Sequence, residues 1–67
     1  MLAFGLDRKT SQDTLICYLQ KFSSDDLINV LVQRFSDGEM EDLFNLLTKM
    51  MKTHLSESEY HRLFLKD

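Results

Sequence analysis

A short phrase that starts α-helices occurs three times in this chain, over residues 22–27, 35–40 and 55–60. Each copy has an apolar residue, a serine, two variable residues, an acidic residue and a second apolar residue. The serine hydroxyl accepts a hydrogen bond from the free N–H three residues later, and the acid there accepts one from the serine N–H. The apolar pair packs around the helix start. The phrase therefore predicts helices that start near Ser23, Ser36 and Ser56.

Four helices follow from these starts and from apolar residues spaced at i, i+3, i+4 and i+7. Their predicted ranges are about 11–21, 24–34, 37–54 and 57–65, and Thr10 or Ser11 is the expected first cap. Each helix starts acidic and ends basic, which is the order that the helix dipole favours. Because the joints are only a few residues long, we expect an all-α fold, a compact bundle of four short helices. This bundle would form a single helical domain over 1–67, with 1–9 a partly ordered N-terminal segment.

The size of the chain favours association with another polypeptide. It has 67 residues, of which 43% are hydrophobic. A domain of this length buries only about 60% of its extended-chain surface and is marginally stable alone. Its single cysteine, Cys17, cannot close an internal disulfide, and no Cys/His spacing suits zinc. We therefore expect self-association, with a homodimer as the simplest form, or binding to another protein.

Charge and hydropathy argue against several other classes of protein. The net charge is −3, and the eight basic residues are scattered, so direct nucleic-acid binding is disfavoured. No run approaches the roughly 20 apolar residues of a membrane span. The apolar opening over residues 1–6 is too short for a signal peptide and has no basic residue. We expect a cytoplasmic protein without membrane contact, and the lone thiol is consistent with that location.

The apolar faces of the second and third helices are wide. At 100° per residue, the third helix is apolar over an arc of about 160°, against about 100° for an ordinary surface helix, and the second is wider still. One interpretation is that the second helix is central in the bundle. The other is that the margins of both faces bind a second chain, for which flexible methionines are well suited. The candidate partner-binding residues are Ile28, Val32, Met40, Leu46, Met50 and Met51.

The sequence contains no pattern typical of an active site, and we expect no catalytic residue, cofactor or metal. Cys17 is interpreted as a tolerated small residue outside the apolar arc of its helix. His54 ends the third helix, where an imidazolium is favourable to the helix dipole, and neither His54 nor His61 follows a glutamate by three residues as a di-iron bundle requires. Nearly all seven aromatic residues fall at predicted core or helix-start positions.

Three segments of the first three predicted helices carry a family resemblance. They are Thr10-x-x-Asp13-x-Leu15, Ser23-x-Asp25-x-Leu27-x-x-Val30-Leu31 and Phe35-Ser36-Asp37-Gly38-Glu39-Met40. With them, residues 10–44 resemble the Hha/YmoA family of small helical gene-expression modulators. The chain differs from the family's Asp-His-Arg on the third helix, where it has Thr48-Lys49-Met50, and from its glutamate on the second, where it has Ile28. The resemblance implies a partner protein that itself binds DNA.

Taken together, these patterns predict a small non-enzymatic regulatory protein that binds a protein partner through the apolar margins of its second and third helices. Two alternatives stay open at the level of sequence. One is a structural homo-oligomer without a regulatory role. The other is a helical nucleic-acid-associated modulator, which the scattered basic residues disfavour.

Overall fold

The computed structural model describes residues 4, 5 and 7–67, and it confirms the all-α prediction. No strand occurs in this part of the chain. The chain divides into two units, Met1–Arg34 and Phe35–Asp67. The first unit contains α1 and α2; the second contains α3, α4 and a π-helical segment. The elements are α1 (Arg8–Phe22), α2 (Asp25–Arg34), α3 (Asp37–His54), α4 (Glu57–Glu59) and the π segment (Tyr60–Leu65).

The start of α1 differs from the prediction. Asp7, rather than Thr10 or Ser11, is the N-cap: its carboxylate accepts from the Thr10 N–H at 2.8 Å and from the Thr10 hydroxyl at 3.0 Å. Aspartate caps as well as serine does, and these two bonds let the helix begin at Arg8 instead of residue 11. The Ser11 hydroxyl instead accepts from the N–H of Gly5 at 2.9 Å. Of the predicted N-terminal segment 1–9, residues 8 and 9 are helical, and residues 1–3 and 6 lie outside the described residues.

The junction between α1 and α2 is shifted by one residue from the predicted cap. The Ser23 hydroxyl donates backward to the Gln20 carbonyl at 2.9 Å, and its N–H donates to the Leu19 carbonyl, so Ser23 ends α1. Ser24 caps α2, because its hydroxyl accepts from the Leu27 N–H at 3.3 Å. The third helical residue is then a leucine, which cannot reach back to the cap. The second helix thus starts within one residue of its predicted range, but its cap is Ser24 and not Ser23.

The other two serine phrases form the predicted capping boxes. At the start of α3, the Ser36 hydroxyl accepts from the Glu39 N–H at 3.1 Å, and the Glu39 carboxylate accepts from the Ser36 N–H at 2.8 Å. Ser56 and Glu59 repeat the arrangement at α4, with the same two distances. The α3 range matches the prediction at both ends, because the box fixes its start and the chain turns extended at Leu55.

The last predicted helix, 57–65, is α-helical only over its first three residues. From Tyr60 the chain continues as a π-helical turn, and Lys66 closes it in the left-handed conformation at φ 60°. The N–H groups of Lys66 and Asp67 both donate to the His61 carbonyl. The wider turn brings the rings of Tyr60 and Phe64 to a centroid separation of 5.3 Å.

Burial is low throughout the described part of the chain. No hydrophobic side chain there is buried, and the one buried residue is Thr14, at 7% exposure. Phe44, expected in the core, is 69% exposed. Each unit holds about 34 residues, below the roughly 40 at which a domain usually begins to sustain a core without disulfides, metals or association. The compact bundle and the single domain over 1–67 stay predictions.

Candidate functional site

The first candidate surface is the apolar side of α2, here called the α2 face. At 100° per residue its five apolar side chains span about 200° of the helix. The two candidate residues on this helix, Ile28 and Val32, both lie on the face; Val32 is 42% exposed and Ile28 is half-buried. At the predicted margin of the α2 face, Val32 is thus accessible to a binding partner. The face consists of Leu27, Ile28, Val30, Leu31 and Val32.

The second candidate surface is the apolar side of α3, here called the α3 face. It covers about 160° of the helix and includes the four candidate residues on α3. Three of them are exposed, and Met51 is half-buried. The exposed apolar side chains of this face are Met40 at 39%, Phe44 at 69%, Leu46 at 53%, Leu47 at 50% and Met50 at 42%; Leu43 and Met51 complete it.

A third apolar surface lies on α1 and was not among the predicted candidates. The small residues Thr10, Thr14 and Cys17 form the covered side of this helix. Its large apolar side chains are exposed. The spacing of this set could be read from the sequence, but the predicted binding surface was limited to the second and third helices. The exposed side chains are Leu15, Ile16, Tyr18, Leu19 and Phe22.

The α3 face continues into a groove within the second unit. The groove has a volume of about 300 Å³, at the lower end of the range for ligand pockets. Met51 belongs both to the α3 face and to the lining of this groove. The other lining residues are apolar, polar and charged, with one basic and one acidic side chain among them. They are Thr48, Lys52, Leu55, Ser56, Glu57 and Tyr60.

Two carboxylates with a lowered pKa lie at helix starts. The pKa of Asp7 is lowered because its carboxylate accepts the backbone N–H and then the hydroxyl of Thr10. The pKa of Glu59 is lowered by its hydrogen bonds with the backbone and then the side chain of Ser56. Both carboxylates are fully committed to stabilising helix N-termini, as the charge-assisted cap requires.

The cysteine belongs to the first unit and both histidines belong to the second. Cys17 is half-buried on α1, and His61 lies 3.1 Å from the Asp67 carboxylate. No three His, Cys, Asp or Glu side chains are grouped as potential metal ligands in the part of the chain that the structure describes. What the arrangement offers chemically is apolar surface on three helices.

Four charged residues of α3 beyond its first turn are exposed, and Asp42 and Lys49 are the two nearest the Leu46 edge of the α3 face. Glu41 and Asp42 lie in the N-terminal half of α3, and Lys49 and Lys52 lie in its C-terminal half. Within residues 4, 5 and 7–67, ion pairs join only Lys9 to Asp13 and His61 to Asp67. The four charges of α3 are therefore not engaged in an ion pair there.

Comparison of the chain with protein-family models, with curated proteins and with solved structures found no match. The resemblance to the Hha/YmoA family therefore stays a prediction. Among the described residues, no helix is long and apolar enough to span a membrane.

Proposed function

We propose that this chain is a small, non-enzymatic, cytoplasmic regulatory protein that acts by binding another protein through its α2 and α3 faces. The observation that carries the proposal is the exposure of large apolar side chains on both helices, including Val32, Leu46 and Met50. Soluble monomers rarely leave contiguous apolar surface uncovered, and such surface commonly marks a protein-binding site.

Helix energetics support the same proposal. An isolated helix shorter than about 12–15 residues is marginal in water, and most helical stability in proteins comes from packing an apolar face. With 10 residues, α2 falls below that length. Capping adds only about 1 kcal/mol at each start. Coverage of the apolar faces is therefore the main stabilising contribution available to these helices.

The gain from covering the faces is large enough to matter for binding. Complete burial of a Val, Leu or Met side chain is worth about 1.5–3 kcal/mol, so covering the exposed half of one gives about 1 kcal/mol. Eight exposed side chains on the two faces then contribute roughly 8 kcal/mol. That gain is comparable to the cost of association, about 4–15 kcal/mol. The partner must therefore bring apolar surface of its own.

The proposal is tested by capture with face-specific variants. Val32→Glu places a charge on the α2 face, and Leu46→Glu places one on the α3 face. Gln33→Glu and Asn45→Glu are the matched controls, because they add the same charge on the polar sides of the same helices. Tagged wild-type chain and the four variants are incubated with extract of the native host, and the retained proteins are quantified by mass spectrometry.

We expect one protein that is retained by the wild type and by both controls and depleted with the face variants. Its binding should be reproduced with purified components, with Val32→Glu or Leu46→Glu weakening affinity at least tenfold. Equal retention by face variants and controls, or no protein retained above an inert tag, would show that the faces are not the binding surface.

A further inference from the structure

The charges at one edge of the α3 face are arranged around the middle of the helix. Asp42 and Lys49 are separated by only about 20° around the helix and by about 10 Å along it. Both lie on the edge next to Leu46, and both are exposed. The acid precedes the helix centre and the base follows it at nearly the same distance.

This arrangement is complementary to itself when two copies of α3 run antiparallel. A two-fold axis at the level of Leu46 brings the same edge of the two helices together and reverses their direction. Asp42 of each copy then lies within about one residue rise, 1.5 Å, of the level of Lys49 of the other, and two identical ion pairs form. The same axis brings Leu46 beside Leu46 of the other copy and Leu43 near Met50, so apolar side chains meet along the centre.

Parallel pairing does not have this property. In a parallel pair the two-fold axis runs along the helices and places the Leu46 edges of the two copies on opposite sides of the pair, so Asp42 of one copy does not meet Lys49 of the other. Parallel pairing would also align the two helix dipoles in the same direction, whereas antiparallel helices have opposed dipoles.

We propose that the partner on the α3 face is a second copy of this chain, bound as an antiparallel α3 pair centred on Leu46. The inference rests on the proposed function, because it names the occupant of one of the two faces. The other protein then binds the α2 face, and Leu46→Glu lowers its capture because it removes the dimer that presents two α2 faces. The interface is small, since α3 is about 27 Å long, so the dimer is expected to be weak and concentration-dependent.

The charge arrangement is tested by reversal and restoration. Asp42→Lys faces Lys49 of the other copy with a like charge and should weaken the dimer about tenfold or more at low salt, with a smaller effect at about 1 M salt. The double variant Asp42→Lys/Lys49→Asp restores opposite charges and should recover dimerisation. Glu41→Lys is the matched control, because it changes net charge equally but lies on the opposite side of α3. Dissociation constants are measured by sedimentation equilibrium, and helicity by circular dichroism.

Helix direction is tested by cross-linking in a Cys17→Ser background. One chain carries Leu43→Cys and the other carries Met50→Cys. In the antiparallel pair, residue 43 of one chain meets residue 50 of the other. Two residues with the same number lie about 10 Å apart along the helix axis, beyond the roughly 7 Å limit for a disulfide. The mixture should therefore form a mixed disulfide dimer, and neither variant should do so alone.

Three results would overturn the pairing: a wild-type chain that stays monomeric at about 100 µM, equal effects of Asp42→Lys and Glu41→Lys, or efficient cross-linking of either single-cysteine variant by itself. If the pairing fails while Val32→Glu still abolishes capture of another protein, the proposed function stands. If the dimer forms as described but no other protein binds, the proposed function fails and the pairing stands.

Discussion

Substitution of the α3 cap gives a quantitative test of the helix-start assignment. Ser36→Ala removes the hydroxyl that accepts the Glu39 N–H at 3.1 Å, but it leaves the 2.8 Å bond from the Ser36 N–H to the Glu39 carboxylate. Only one of the two bonds is lost. Both groups are exposed, so water can solvate the freed N–H. The expected cost is therefore about 1 kcal/mol, within the ordinary range for a serine cap rather than the larger penalty of a buried unsatisfied donor.

Amide hydrogen exchange measures this cost in the first turn of α3. A loss of about 1 kcal/mol should speed exchange of the Met40 amide by about fivefold, because that amide donates to the Ser36 carbonyl at 3.0 Å and is protected only while the first turn is closed. Ser58→Ala is the control, since Ser58 lies inside α4 rather than at a cap. An unchanged Met40 exchange rate in Ser36→Ala, or the same acceleration in Ser58→Ala, would refute the capping-box assignment.

Three further outcomes are expected. Ser24→Ala should lower α2 helicity by more than Ser23→Ala, measured by NMR chemical shifts, because only the Ser24 hydroxyl caps that helix. Acidification below about pH 4.5 should loosen the helix starts at Asp7 and Glu59, because the pKa of each carboxylate is lower in the folded chain than in the unfolded one. The stability that each group adds is present above its unfolded-state pKa and is lost as the pH falls through its folded-state pKa. Amide exchange measured as a function of pH would show no such loss if the caps were absent. Lys66→Gly should stabilise the C-terminal turn by up to about 1 kcal/mol in chemical denaturation, because glycine adopts φ 60° without strain, and destabilisation would contradict that geometry.

The helical class and the α3 boundaries could be predicted because they depend on local chemistry. A serine followed three residues later by glutamate forms a complete box at both Ser36 and Ser56. No capping box forms at Ser23, because its hydroxyl donates to the last turn of α1 and the neighbouring Ser24 caps α2 instead. Adjacent serines compete for one cap, and the sequence alone does not rank them.

Burial was harder to predict because it depends on which elements meet. Tyr18 and Phe44 were among the aromatic residues expected at core or helix-start positions, and both are exposed. The width of the α3 face was readable from helical geometry, and four of its candidate residues lie together as expected. The spacing of Asp42 and Lys49 could also be read from the sequence. Their availability for pairing with a second copy depends on the structure, in which both are exposed and neither is in an ion pair among the described residues.

The central claim is that the apolar faces of these helices are covered by a second polypeptide. The most direct test is the thermal unfolding of the purified wild-type chain, followed by circular dichroism with parallel mass measurement, from about 1 µM to about 100 µM. We predict a transition that is weakly cooperative at low concentration and rises in temperature and cooperativity as the mass increases above 7.9 kDa. A sharp, concentration-independent transition from a species that stays at 7.9 kDa would contradict the account, because a single chain would then cover its own apolar faces.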